Sequence, residues 1–383
     1  AALDLLDTLG REPDRWEEEC LSYALSGYYR GDVQGYGQVE WLHADSHYQV
    51  RLEVIVGPSF APLVTRRFVS DGQVGERGLS PERFDEETNI NWAARLEEVG
   101  AHVVYGVVGH KTHAKALLVV RREQQRGGSV RLKRYCHLGT GNYHPRTARL
   151  YTDFGLFTAD EQVCSDVHEL FQQLTGLGKL KLPKALWQSP FTMHQNVCAA
   201  IRHEIANARA GKKALIMARM NALLEDQVIG LLYEASQAGV KVVLIVRGVC
   251  ALKPGVKGLS ENIEVRSIVG RFLEHSRIFY FYDDGNEHVL LSSADWMDRN
   301  FFRRVEIAFP VRDRKLKKRV IDEGFAIHLA DNTLAWTMDG EGKYTRLQGR
   351  GAARRVGQDL LLAAMVAGLA VADPRARRHR PTQ

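Results

Sequence analysis

Lys111-Thr112-His113-Ala114-Lys115 runs into the apolar stretch 116–121, and Glu274-His275-Ser276-Arg277 runs into a second one, 278–282. In both, a histidine stands two positions before a cation at the start of a strand. Side chains alternate faces along a strand, so each histidine shares a face with its cation. A turn of small and polar residues follows each copy: Gly139-Thr140-Gly141-Asn142 after the first, Ser292-Ser293-Ala294-Asp295 and then Asn300 after the second. One His-x-cation carries almost no information. Two related copies, each with its polar turn, indicate an internal duplication.

Around each copy the pattern alternates between helix and strand. Residues 85–99 (DEETNINWAARLEEV) read as a helix, with acids in the first turn, Ile90, Ala93 and Leu96 at helical spacing, and Gly100 as the stop. Strands are expected at 102–108, 116–121 and 130–136, with 122–128 as a hairpin loop. Pro183 and Pro190 frame a linker at 182–190. Beyond it, helices are expected at 196–210 and 225–237, and strands at 214–217, 240–246, 264–268, 278–282 and 289–291. The run 240–246 (VKVVLIV) is apolar enough for a buried strand of a parallel sheet. This alternation predicts an α/β fold of two tandem units, 76–185 and 186–345. Residues 1–75 are left unassigned: 48–56 alternates as a strand, Trp16 and Trp41 imply packing, but no site constellation emerges. The Gly/Ser/Pro content of 72–81 marks a boundary.

The chain has 383 residues, 45% hydrophobic and 26% charged, which excludes a disordered or collagen-like protein. Its longest apolar run, 360–372, is shorter than the roughly 20 residues a bilayer span needs, and no signal sequence is read at the start. Five scattered cysteines without CxxC spacing suggest neither a disulfide framework nor a zinc site, and a reducing cytosol is expected. The net charge of +6 invites a polyanion. From Arg346 onward, however, eight arginines stand against Asp359 and Asp373, so that stretch holds the entire excess. It is read as a solvated basic tail, 346–383.

A histidine beside fixed cations suits phosphoryl transfer. A neutral imidazole attacks phosphorus while the cations balance charge on the non-bridging oxygens, and a second histidine can hold or protonate the leaving oxygen. Taken singly, each histidine is more often a hydrogen-bonded core residue; the paired pattern favours chemistry. Lys111, Lys133 and Arg134 read as exposed charges.

At these residues the sequence resembles the first, bacterial family of polyphosphate kinases, in its C-terminal catalytic half. The resemblance rests on Arg83-Phe84-Asp85-Glu86-Glu87, Lys111 to Lys115, Tyr135 to Asn142, Ala148 to Asp153, Val246 to Cys250, Phe272 to Arg277 and Ser292 to Met297, in that order. It runs from about residue 82 to about residue 355, and it implies two phospholipase-D-like α/β domains in tandem. It also implies roles. His113 would become the phosphohistidine, taking the terminal phosphate of ATP and passing it reversibly to polyphosphate, and Lys115 would neutralise the transferring group. His275 would assist as acid or as a nucleotide contact. Tyr151 and Arg247 would bind nucleotide; Arg83, Lys115 and Arg277 would bind phosphate. Arg83 matches a position of the magnesium site, and since an arginine cannot ligate a cation it is read as a clamp on Mg²⁺-bound phosphates. His137 matches a second candidate for phosphorylation and ranks below His113, while Asn142 and Asn300 read as turn formers that orient the histidines. The implied partners are ATP or ADP, inorganic polyphosphate and a second copy of the chain, without specific nucleic acid, in the cytosol or peripherally at a membrane.

Two departures are visible. The domains that precede the catalytic half in that family find no match in residues 1–75. Pro81 falls where a central strand is expected and would interrupt it, leaving the parallel sheet of the first unit incomplete. A catalytically impaired polyphosphate binder and a phospholipase-D-like phosphodiesterase therefore stand as alternatives, although Arg277 replaces the lysine a diesterase would carry in its second copy.

Overall fold

The structure, a computed structural model, describes residues 110–124, 129–143, 148–176, 181–348 and 353–367, together with the backbone of strands at 37–42, 49–55 and 102–103. The expected helix 85–99, the boundary 72–81, Pro81 and Arg83 lie outside the described residues. In chain order the elements are β1 (Gly37–Leu42), β2 (Gln49–Ile55), β3 (His102–Val103), β4 (Lys111–Thr112), β5 (Ala116–Gln124), β6 (Val130–Gly139), β7 (Tyr151–Thr152), β8 (Gly155–Thr158), α1 (Glu161–Leu174) and β9 (Trp187–Ser189). There follow α2 (Met193–Arg209), β10 (Leu215–Met220), α3 (Asp226–Gln237), β11 (Lys241–Val246), β12 (Ile263–Ile268), β13 (Leu273–Glu274), β14 (Arg277–Phe281), β15 (His288–Ser292), α4 (Asp298–Phe302) and β16 (Arg304–Pro310). The chain closes with α5 (Arg314–Ile321), a π-helical turn (Asp322–Ala326), β17 (Ala335–Met338), β18 (Tyr344–Arg346) and α6 (Gly357–Val366).

Two units form. Unit 1 comprises Ala1–Leu150, Phe154–Pro190 and Arg303–Ile307; unit 2 comprises Tyr151–Asp153, Phe191–Phe302 and Ala308–Gln383. Each thus takes in a short segment from far along the sequence, a feature that neither motif reading nor periodicity announced.

In unit 1 the sheet order is β3-β1-β2-β5-β6-β8, every neighbour antiparallel. The expected parallel sheet is therefore corrected: β5 and β6 close as a hairpin, which forces antiparallel pairing. β2 falls within the alternating stretch 48–56. Helix α1 starts where Asp160 Oδ1 accepts from the amides of Gln162 (3.1 Å) and Val163 (3.0 Å). Its Val163, Val167, Leu170 and Leu174 recur at helical spacing and are buried. Residues 182–190, expected as a linker, are pinned: Asp166 Oδ2 accepts from the amides of Lys184, Ala185 and Leu186 at 2.9, 2.6 and 3.0 Å.

In unit 2 the order is β18-β17-β12-β11-β10-β14-β15-β16, with β10, β11 and β12 parallel to one another and the remaining pairs antiparallel. Buried on both faces, the Val242–Val246 run of β11 needs no polar alternation. Phe279, Trp296, Phe301, Phe309 and Phe325 are fully buried, each stabilising the unit by about 2–3 kcal/mol of apolar transfer. The stretch read as a solvated tail is corrected in part: β18 ends on its first residue, α6 lies within it, and Gln358 is buried because its amide pairs inside the unit.

Candidate active site

In unit 1, β4 delivers His113 to the start of β5. Its parallel partner is the beginning of β16, with Arg304 opposite Lys111 and Val305 opposite Thr112. The Val305 carbonyl accepts from the amides of His113 (2.9 Å) and Ala114 (3.0 Å). The next residue, Glu306, is fully buried and places Oε2 2.8 Å from His113 Nδ1. A carboxylate only accepts, so Nδ1 carries the proton and Nε2 the lone pair. Lys115 is buried on the same strand face, and its Nζ donates to the His113 carbonyl at 2.5 Å.

Unit 2 repeats this arrangement. β13 pairs in parallel with β7, Leu273 opposite Tyr151 and Glu274 opposite Thr152. The Thr152 carbonyl accepts from the amides of His275 (3.2 Å) and Ser276 (2.9 Å). The next residue, Asp153, lies 2.9 and 3.0 Å from His275 Nδ1 through its two oxygens. Arg277 donates to the His275 carbonyl at 2.7 Å, as Lys115 does to that of His113, and also to His275 Nε2 at 2.8 Å. His275 is therefore held with Nδ1 protonated and Nε2 accepting, the form suited to holding a group rather than donating a proton.

The predicted nucleotide contacts of unit 2 cluster at this histidine. The Tyr151 ring lies 5.0 Å from the His275 ring, centroid to centroid. Arg247 is half-buried; burial and then the neighbouring Arg277 lower its pKa, against Asp295 and Tyr151. Its Nε finds no hydrogen-bond partner among the described residues, which suits it to an anion. Asp295 grips Arg277 with both oxygens, each at 3.1 Å, and accepts from the Asn221 amide at 2.7 Å.

His137 is a different kind of histidine. Its Nδ1 is 2.5 Å from Tyr143 Oη, Phe157 packs on its ring at 4.4 Å, and burial lowers its pKa to about 4. A Cβ on Gly155 would come within 2.6 Å of its Nε2, so glycine makes the room it occupies. Asn142 follows the end of β6, and Asn300 is buried in α4. Lys111 lies in β4; Lys133 in β6 approaches Glu123 at 3.9 Å and the Tyr135 ring at 4.9 Å. Sequence reasoning assigned no role to Glu306, Asp153, Asp295 or Glu274. The signal was available: Tyr151-Thr152-Asp153 and Arg304-Val305-Glu306 each put an acid one residue after a β-branched one.

Two units, each with a His-x-cation strand and a carboxylate on the histidine Nδ1, define a duplicated α/β protein. Two family models match: polyphosphate kinase C-terminal domain 1 over residues 81–180, and C-terminal domain 2 over residues 186–358. Between them they take in more than half of the chain, which belongs to the polyphosphate kinase family and carries these two domains. It is 72% identical over 264 residues to a polyphosphate kinase of Burkholderia multivorans, covering 69% of this chain and 38% of that one. It is 68% identical over 280 residues to one of Paraburkholderia phytofirmans, covering 73% and 40%. The crystal structure of polyphosphate kinase from Porphyromonas gingivalis is similar at 35% identity and a TM-score of 0.68, over 73% of this chain and 42% of that one. The chain thus spans about two-fifths of the length of these relatives.

Proposed function

We propose that the chain takes part in reversible transfer of the terminal phosphate of ATP to polyphosphate through a phosphohistidine at His113. The observation that carries this reading is the His113–Glu306 pair, which orients the ring and leaves Nε2 as the nucleophilic nitrogen. In the forward direction Nε2 attacks the γ-phosphorus and the bond to the bridging oxygen breaks, releasing ADP. A terminal oxygen of polyphosphate then attacks the same phosphorus, and the P–N bond breaks. Glu306 stabilises the positive charge that the ring acquires on phosphorylation. We assign Lys115, Arg277 and Arg83 to phosphate, and Tyr151, Arg247 and His275 to the nucleotide. Arg83 rests on the resemblance alone.

Among the described residues no group of three or more His, Cys, Asp or Glu could hold a metal ion. No residue is therefore given to Mg²⁺, and no step passes through it; on this reading Mg²⁺ belongs to the nucleotide phosphates. Among the described residues no helix is long and apolar enough to cross a membrane. A cytosolic setting supplies ATP, and peripheral membrane contact and self-association belong to the same proposal.

The test is incubation with γ-labelled ATP and Mg²⁺. Acid-labile label on the protein, lost in His113→Ala, is expected; label that survives that change overturns the assignment. Polyphosphate that binds without lengthening would favour the impaired binder, and product release from a bis-ester without ATP the diesterase.

A further inference from the structure

We propose that Glu274 is a positioning residue for His275: held by Arg219 and Gln358, it clamps the segment Tyr151–Asp153 to the strand that carries the histidine. Glu274 Oε2 accepts from Thr152 Oγ1 at 2.6 Å and from Arg219 Nη2; Oε1 accepts from Gln358 Nε2 at 2.5 Å. Thr152 links the carboxylate to the histidine strand, because its carbonyl takes the His275 and Ser276 amides. Its neighbours are Tyr151, whose ring lies on His275, and Asp153, whose carboxylate holds Nδ1. A shift of Thr152 therefore moves both contacts to the imidazole.

The clamp is closed on every side. Arg219 Nη1 donates to the carbonyl of Gly324, in the π-helical turn, at 2.9 Å. Gln358, at the start of α6, donates to the Phe272 carbonyl at 2.8 Å and accepts from the Phe272 amide at 3.0 Å. His328 Nε2 lies 3.9 Å from Glu274. Burial, and then Arg219, hold the His328 pKa well below the usual range, so Arg219 is the cation that balances the carboxylate. An apolar pair would fill the same volume without the desolvation cost of buried charges. The ion pair instead provides directed bonds to one short segment. Unit 1 has Thr112 at the position equivalent to Glu274, so this clamp distinguishes the second histidine from the first.

The role deepens the phosphotransfer reading, although its geometry stands without it. Removing Glu274 would strand a buried arginine, so the test uses Thr152→Val, which deletes one hydroxyl and no charge. Three readouts are followed in the full chain: thermal unfolding, the ¹⁵N signals of His275, and ATP-to-polyphosphate kinetics. With the fold retained, Thr152→Val should weaken the Nδ1–H signature of His275 and lower kcat about tenfold or more. Thr152→Ser should restore both. Added to Asp153→Asn, Thr152→Val should cost less than it does alone, because the Asp153 contact is already lost and only that of Tyr151 is left to move. An unchanged His275 signature in Thr152→Val, or fully additive losses, overturns the clamp. Absence of phosphotransfer in the unmutated chain would overturn the proposed function alone, because the ¹⁵N signature reports the clamp without turnover.

Discussion

The Lys115 carbonyl accepts from the Gly139 amide at the end of β6, and Arg277 pairs with Ser292 at the end of β15. Three residues further along, unit 1 has Asn142 and unit 2 has Asp295. This difference, amide against carboxylate, is one of those that separate the two histidine sites. In unit 2 the cation is matched by a carboxylate that accepts from its Nε and Nη2, and its Nη1 holds His275 Nε2. In unit 1 the corresponding side chain is neutral, and the lysine on the strand donates to the histidine carbonyl. The same local design thus gives a histidine whose Nε2 accepts from a guanidinium in unit 2 and a histidine whose Nδ1 donates to a fully buried carboxylate in unit 1.

The largest effect that would break this comparison is on the histidines themselves. His113→Ala should lower turnover by about 10⁴-fold or more and abolish acid-labile label. His275→Ala should cost about 10²–10⁴-fold and leave His113 able to accept label. Equal labelling defects in single-turnover assays would mean that the two rings are not divided in role. Glu306→Gln comes next, with a loss of about 10²-fold or more in labelling rate, because the amide no longer specifies which ring nitrogen is protonated; an unchanged rate would remove Glu306 from the site.

Asp295→Asn makes unit 2 resemble unit 1. It leaves Arg277 buried beside an amide, and urea unfolding should register a loss of about 3–5 kcal/mol. Asn142→Asp, the converse change, lacks a stranded charge, and a comparable loss there would contradict the proposed equivalence. His137 provides a titration control. Its folded pKa, about 4, lies below the unfolded 6.5, so the unfolded chain binds the proton first. This contribution is intact above about 6.5 and is lost as pH falls toward 4, on the order of 3 kcal/mol in full. A His137 resonance titrating near 6.5 in the folded protein would refute its enclosure. Smallest of all, Gly155→Ala should cost about 1–3 kcal/mol by crowding His137, and an unaffected melting temperature would mean the ring has room to move.

Much of this was legible in the residues. β11 and β14 announced themselves by apolar runs, α3 falls within the helix expected at 225–237, and the duplicated histidines stood out by their two-residue offset from a cation. What the sequence hid was long-range. Glu306 lies 193 residues from His113 and Asp153 lies 122 from His275, distances at which no periodicity links partners. The antiparallel sheet of unit 1 was missed because the resemblance supplied a parallel one, while the hairpin 116–139 argued locally for the other pairing. Gln358 was read with the arginines around it as solvated; only its contacts at Phe272 and Glu274 reveal otherwise.

The borrowed segments carry a consequence for dissecting the protein. A cut after Pro190, the natural place by contact and by composition, gives an N-terminal piece that keeps His113 but lacks Arg303–Ile307, and a C-terminal piece that keeps His275 but lacks Tyr151–Asp153. Neither fragment would own the acid its histidine uses.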